Sequence, residues 1–412
     1  MLRLISKITI EQMTDWQPTA EVTIERNEKY VFNFVNELEI VSKWNAQTDT
    51  CKFTFPRNMY FEDEKTGTKV NFTGRNIIFG DTPPIIQRGD KITVELGYTW
   101  FDGIKDVNEL NKEFEGFVVR VFTDTPLRVE CEDKMFLLKQ LTPKPKIYLN
   151  KDYNIETMIK EMVSATKTKN KKHQSEIDKL KVRVSIKTQI GDFYSENETI
   201  SQVLARLRKD THTNSYFRGN ELRCSAIVYY PEDQKDIYLG RPRNRVWNFD
   251  FNKNIIDNDL EYKLKEDINL HIKAISINKV ELNTTTKKGK PKKVEKRLSV
   301  IVPDNNYLSG SETITRHFYD IQTVDELRKL ATLQLNRIWL TGLKGSFETF
   351  GLPSVRHGDI AKMQSLRLKE QNGIYLIKSV TKTFGINGYR QNIELDTKLT
   401  SITDVSYNAG II

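Results

Sequence analysis

The chain has 412 residues, of which 38% are hydrophobic, 29% charged and 10% aromatic, with a formal net charge of +9. This balance excludes a disordered chain, and the length exceeds what one ordinary core organises, so about two to four domains are expected. No run approaches the roughly 20 apolar residues of a membrane-spanning helix, and Met1 to Ile10 lacks the apolar region and cleavage site of a signal peptide, so cytoplasmic synthesis without membrane insertion is expected.

From Leu2 to about Gln140, short alternating apolar runs are separated by turn residues, the pattern of antiparallel β structure. Strands are expected at 68–72, 85–86, 91–98, 115–122 and 127–131, with Gly67, Gly80-Asp81, Pro83-Pro84, Gly89-Asp90 and the Asp124-Thr125-Pro126 turn between them. Five or more short strands at this spacing favour closure into a barrel, which removes exposed edges. Two prolines in Thr142 to Lys146 then interrupt helix and sheet and suggest a boundary.

The middle of the chain is mixed. Ile155, Met158, Ile159, Met162 and Val163 have helical spacing, and the polar stretch Ser164 to Lys181 reads as an exposed excursion. A second helix is expected over Thr199 to Thr211, with Ile200, Val203, Leu204 and Leu207 on one face. A strand pair follows, Ser215 to Phe217 and Leu222 to Tyr230, turning at Gly219-Asn220.

The remainder is again mostly β. Trp247, Phe249 and Phe251 share one face of a strand, as core or as an interface stripe. His271 to Leu282 pairs with Val294 to Val302 as a hairpin, and a helix is expected over Val324 to Leu340, with Asp325-Glu326 suited to its N-terminal dipole. Strands follow at Phe347, 360–363, 374–377, 380–384 and 393–395, with turns at Gly351, Pro353, Gly358-Asp359, Gly373, Gly385 and Gly388. The fold class is therefore a β-rich α+β chain, with β-rich units at residues 1–142 and 246–412 around a mixed middle at 143–245; that both are similar β-barrel domains is what the family resemblance given below implies.

Chemistry-bearing motifs are scarce. Cys51, Cys131 and Cys224 lie far apart with no metal-ligand spacing and are expected to be buried free thiols. His173, His212, His271, His317 and His357 form no HExxH or HxH pattern and are read as surface or half-buried, with His357 decorating a turn. Neither a nucleophile elbow nor a phosphate-binding loop is found, Ser309-Gly310-Ser311 and Gly289-Lys290 lacking the strand-to-helix context. No cofactor, metal site or enzymatic activity is expected. The positive charge is concentrated: Lys287, Lys288, Lys290, Lys292, Lys293, Lys296 and Arg297 stand against Glu295 alone, and without this loop the chain would carry +3. With no aromatic residue between Val280 and Ser299 for base stacking, the loop is read first as a solvated hairpin tip, then as a docking loop for an acidic neighbour, and last as a nucleic-acid contact.

Two segments resemble a known family. "IIQRGDKITVELGY" with "FEGFVVRVFTDTPLRVECEDKMFLLK", and "GSFETFGLPSVRHGDIAKM" with "NGIYLIKSVTKTFGINGYRQNIEL", look like the paired β-barrel domains of phage tail baseplate hub proteins, which include the late-control D proteins and the hub half of type VI secretion spike proteins. In each, a Gly-Asp turn (Gly89-Asp90, Gly358-Asp359) admits a strand, and a glycine-bearing strand (Gly116, Gly373) returns beside it. The resemblance implies a structural virion protein of the tail, or of an injection-system baseplate, made in a bacterial host. It also implies a homotrimeric ring joining the tail tube protein to a central spike protein, with tape measure and baseplate wedge proteins as neighbours and nucleic acid at most passing through the lumen. No needle follows Ile412, so the spike is expected to be a separate polypeptide. Other classes are a nucleic-acid-binding protein using residues 287–297 and a cell-wall hydrolase on a hub scaffold.

Overall fold

Alternation between apolar and polar residues sets the first unit, because successive side chains of a strand face opposite sides of the sheet. A computed structural model of the chain describes residues 2–19, 21–56, 58–63, 69–73, 83–122, 126–149, 152–184, 193–211, 214–225, 237–238, 241–242, 246–264, 270–285, 291–303, 312–319, 321, 323–338 and 341–399. The expected turns at Gly67 and Gly80-Asp81, the Ser309 to Ser311 loop, His212 and Tyr229-Tyr230 lie outside these residues.

Nine strands come first: β1 (Leu2–Glu11), β2 (Lys29–Phe32), β3 (Glu37–Lys43), β4 (Thr50–Phe55), β5 (Asn58–Asp63), β6 (Lys69–Thr73), β7 (Lys91–Phe101), β8 (Asp106–Val121) and β9 (Leu127–Glu132). They are ordered β3-β4-β9-β8-β7-β1-β2-β5-β6. Ile8, Ile10, Phe53, Phe55, Ile92, Val94 and Val129 fill the core beneath them. The strand expected at Ile85-Ile86 is a bend instead. The Ile85 carbonyl bonds to the side chains of Gln12 and Arg26 rather than to a neighbouring strand.

The middle unit builds a second core. It contains α1 (Met135–Leu138), β10 (Lys146–Tyr148), α2 (Ile155–Ala165), α3 (Lys171–Asp178), β11 (Lys181–Val184), β12 (Phe193–Ser195), α4 (Ile200–Thr211), β13 (Asn214–Arg218) and β14 (Glu221–Ser225). Helix α2 begins in a capping box between Asn154 and Thr157 and buries the five apolar residues of its helical face. Helix α3 corrects the reading of 164–181 as an exposed excursion. Asn170 caps it, and His173, Glu176 and Ile177 are buried. The stretch looks solvated because its polar side chains bond to the first unit: Asn170 Nδ2 donates to Met13 O at 2.9 Å, and Lys91 donates to Glu176 Oε2 at 3.0 Å.

After the short strands β15 (Ile237–Tyr238) and β16 (Arg241–Pro242), the last third supplies β17 (Val246–Asp250), β18 (Ile255–Asn258) and β19 (Glu261–Lys263). A layer with its own core follows, in which β20 (Leu270–Thr285) pairs antiparallel with β21 (Pro291–Val302) and parallel with β22 (Glu312–Tyr319). Helix α5 (Val324–Ile338) covers it with Leu327, Ala331 and Leu335. The chain ends in β23 (Gly342–Lys344), β24 (Ser346–Phe350), β25 (Ile360–Gln364), β26 (Gly373–Gly385) and β27 (Gly388–Leu399). The runs 374–377 and 380–384 are thus one strand, kept continuous across two register shifts. Phe249 is buried, with Trp247 and Phe251 packed against the same cluster, so this aromatic face is core.

Six strands of each β-rich part follow one order. The first runs β3-β4-β9-β8-β7-β1, and the second runs β18-β24-β27-β26-β25-β17. Corresponding neighbours pair antiparallel except at the end, where β1 meets β7 antiparallel and β17 meets β25 parallel. Where closed barrels were expected, the strand order among the described residues is an open path. The two parts are joined where β3, the edge of the first, pairs with the later half of β26, from Ser379↔Lys43 to Phe384↔Leu38.

Beside this seam, a bulge between Val94 and Glu95 sets Glu113 out of register. Glu113 meets Lys382 there, with both side chains more than nine-tenths buried. Ser354 donates to Glu113 at 2.9 Å and accepts from Lys382 at 2.7 Å. Lys382→Met is expected to cost roughly 3–5 kcal/mol by stranding the carboxylate, and adding Glu113→Leu should recover most of it, as read from urea midpoints. Cys51 and Cys131 face each other across β4 and β9, and all three cysteines are buried and free. Burial pushes the Cys224 thiol up to about 12 and the other two upward as well. A thiol reagent should therefore label none of them quickly in the native protein and all three in guanidinium chloride.

Candidate functional site: two Gly-Asp turns

A seven-residue pattern occurs twice, Pro84-Ile85-Ile86-Gln87-Arg88-Gly89-Asp90 and Pro353-Ser354-Val355-Arg356-His357-Gly358-Asp359. Each copy leads into equivalent strands, β7 and β25. The glycines have φ of +89° and +79°, a left-handed conformation that a side chain disfavours.

Both turns grip the returning strand through the same pair of backbone bonds. Gly89 N–H donates to Val118 O at 2.7 Å, and Val118 N–H donates to Asp90 O at 2.9 Å. Gly358 N–H donates to Ile377 O at 2.8 Å, and Ile377 N–H donates to Asp359 O at 2.8 Å. Each aspartate also folds back on its own turn, Asp90 Oδ2 accepting Gln87 N–H at 2.8 Å and Asp359 Oδ2 accepting Arg356 N–H at 2.9 Å. Glutamines hold the two prolines: Gln12 Nε2 reaches Pro84 O at 3.4 Å, and Gln391 Nε2 reaches Pro353 O at 2.9 Å.

A buried arginine serves the first turn. Arg26 is 2% exposed and pairs bidentately with the fully buried Asp90, at 3.0 Å and 2.7 Å. It also donates to Pro84 O, Thr14 O and Ile85 O, which satisfies the guanidinium on every side. At the second turn Asp359 Oδ2 accepts Trp247 Nε1–H at 3.2 Å.

The middle unit touches both turns. His173 Nε2 stands 2.7 Å from Gly89 O, and because a carbonyl only accepts, that nitrogen carries the proton. Burial lowers the His173 pKa, which favours the neutral ring. At the other turn Arg218 donates to His357 O at 2.8 Å, and Tyr216 packs edge-on against the His357 ring with centroids 5.0 Å apart. His173, His271 and His357 are all buried, His357 completely, which corrects their reading as surface or half-buried residues. His357 is a packing element where three units meet.

Gly116 and Gly373 do not occupy equivalent positions. Gly116 stands opposite Ile92, whose counterpart Ala361 faces Tyr375. Gly373 faces Met363, whose counterpart Val94 faces Phe114. At Gly116 a side chain would strike the Glu132 carbonyl, and at Gly373 it would strike the Tyr375 ring. Of the basic loop, Lys287, Lys288 and Lys290 lie outside the described residues. Lys292, Lys293 and Lys296 are opposite Leu282, Glu281 and Asn278 in β20, and exposed Arg297 is opposite Ile277. Among the described residues no group of three or more His, Cys, Asp or Glu is arranged to hold a metal, and no helix is long and apolar enough to cross a membrane.

Asp90→Ala should cost roughly 3–5 kcal/mol because Arg26 is left buried and unpaired. Urea denaturation measures the loss, and a loss below about 1 kcal/mol would contradict the assignment.

No family model matches the sequence, and no curated protein matches it. Solved structures do. The 43 kDa tail protein of prophage MuSo2 from Shewanella oneidensis aligns with a TM-score of 0.53 at 12% identity, over 95% of this chain and 98% of that one. The tail protein from Neisseria meningitidis MC58 aligns with a TM-score of 0.54 at 11% identity, over 97% of each chain. The E. coli c3393 protein, a component of the type VI secretion system, aligns at 0.44 and 9% identity, over 89% of this chain and 74% of that one. The chain thus shares its fold with the two phage tail proteins over nearly its whole length.

Proposed function

We propose that this protein is a non-enzymatic hub of a phage tail or a related injection baseplate, in which three copies form a ring between a tail tube and a central spike. The observation that carries the reading is the repetition within one chain: two six-strand orders, each entered through the same Pro-x-x-x-x-Gly-Asp turn. Three copies of a chain with two similar β-rich domains present six similar faces, which fits a six-fold tube on one side and a three-fold spike on the other. The likeness in fold to tail proteins supports the same reading. In this account residues 1–142 and 246–412 are the two ring-forming domains, 143–245 braces them, and 287–297 is a docking loop on the hairpin formed by β20 and β21.

A permanent ring of this kind buries about 2,000 Å² or more per interface. Light scattering of the purified protein is expected to give three times 48.1 kDa, with six lobes in axial views by electron microscopy. A particle that stays monomeric at tens of micromolar overturns the proposal.

A further inference from the structure

One seam joins the two β-rich parts inside the chain, and the counterparts of its two sides are both left without a strand. The seam forms where β25 leaves off: β25 pairs with β26 as far as Leu376, and β3 takes the same flank of β26 from Ser379 to Phe384. The end of the hairpin formed by β26 and β27 then completes the first core, where Phe384 and Tyr389 are buried and the Tyr98 hydroxyl donates to Tyr389 O at 2.9 Å.

Matching registers identify those counterparts. Both returning strands carry an extra residue at the same place, Val118↔Cys131 being followed by Arg120↔Glu130, and Ile377↔Leu395 by Ser379↔Glu394. Arg120, Val121 and Phe122 thus correspond to Ser379, Val380 and Thr381. Further across each sheet, the row Val129, Phe53 and Leu38 corresponds to Ile393, Phe347 and Asn258. Val41 opposite Thr50 likewise corresponds to Glu261 opposite Lys344. Strands β18 and β19 together are therefore the β3 of the second part, with residues 258–263 standing for 38–43.

Among the described residues β18 pairs only with β24 and β19 only with β23, so their outer edge is open. Beyond Phe117, where its pairing with β7 ends, β8 also has no strand on that flank among the described residues. Burial differs as an uncovered edge requires. Ile40 and Trp44, beside the seam, are 2% and 8% exposed, and Trp44 N–H donates to Lys378 O at 3.4 Å. Their counterparts are Leu260, half-buried, and Leu264, 42% exposed.

We propose, resting on the ring of three copies above, that the open edge of β18 and β19 takes the hairpin of β8 and β9 from the next copy, repeating between chains the seam that β3 and β26 make within one. The register carries over as Arg120↔Lys263, Val121↔Tyr262 and Phe122↔Glu261, the first of each pair from one copy and the second from its neighbour. Arg120 and Arg128 lie 5.3 Å and 3.8 Å from the centre of the Phe122 ring, and this cationic end meets a strand that carries exposed Asp257, Asp259 and Glu261 against Lys263 alone. Leu260 and Leu264 gain the cover that Ile40 and Trp44 already have. An unpaired edge is a template for another strand, and a head-to-tail contact either closes or runs on as a filament. Each chain offers one such edge and one such hairpin, so three copies satisfy all of them in a ring of six units.

The native cysteines are buried and free, so introduced disulfides report the contact. Arg120→Cys together with Lys263→Cys in the full chain should link neighbouring copies on mild oxidation, giving a band at three times 48.1 kDa on a non-reducing denaturing gel. Either substitution alone should give only monomer. Lys43→Cys together with Ser379→Cys sets the same pair in the internal seam and should close a disulfide within one chain, showing that this register accepts the bond. If light scattering finds a trimer and the internal pair closes, but the Arg120→Cys, Lys263→Cys protein stays monomeric on the gel, the seam between chains is overturned and the ring stands. A wild-type protein that stays monomeric at tens of micromolar overturns ring and seam together.

Discussion

A reciprocal pair of backbone hydrogen bonds, made once at Gly89-Asp90 and again at Gly358-Asp359, is the constraint on which the rest of the architecture hangs. Each pair fixes where a strand enters its sheet relative to the strand that returns beside it, and a strand's register decides which face of every residue is buried. With Lys91 opposite Phe117 and Ile360 opposite Leu376, the alternation of both hairpins is set from the turn outward. Glycine is needed because the donor must be presented from a left-handed backbone, and aspartate because its carboxylate closes the turn on the N–H three residues earlier.

The same turn meets different neighbours at its two sites. At Asp90 the partner is a buried arginine with its donors fully engaged, an arrangement with high geometric specificity that tolerates little change. At Asp359 an indole N–H carried by the aromatic strand β17 donates to the carboxylate. Backbone geometry has been kept in both places, and the middle unit sends a histidine to one turn and an arginine to the other.

Much of this could be read from residues with local partners. Helices α2, α4 and α5 follow from apolar spacing, the hairpin of β20 and β21 from alternation across a basic turn, and the Gly-Asp turns from their own residues. Long-range partners leave no such trace. Helix α3 looked like a solvated excursion because Asn170, Lys172, His173 and Glu176 are polar, and nothing local reveals that their partners lie in the first sheet. Arg26 stands alone in a loop, and its six side-chain hydrogen bonds run to residues 12 to 64 positions away. Gly116 and Gly373 look equivalent because each lies on a returning strand, and only the strand pairing shows that they stand two residues apart in a common register. The spacing Pro-x-x-x-x-Gly-Asp was present in both copies and would have aligned the two parts without any structure.

The seam between β26 and β3 has a mechanical meaning. Six consecutive residue pairs weld the first and last thirds of the chain into one hydrogen-bonded surface, so they are not beads on a tether. A pull along these strands loads the bonds side by side, and they must fail together rather than peel one at a time. A twist imposed on one part therefore reaches the other as torque through a stiff sheet, giving this polypeptide the character of a torsion bar.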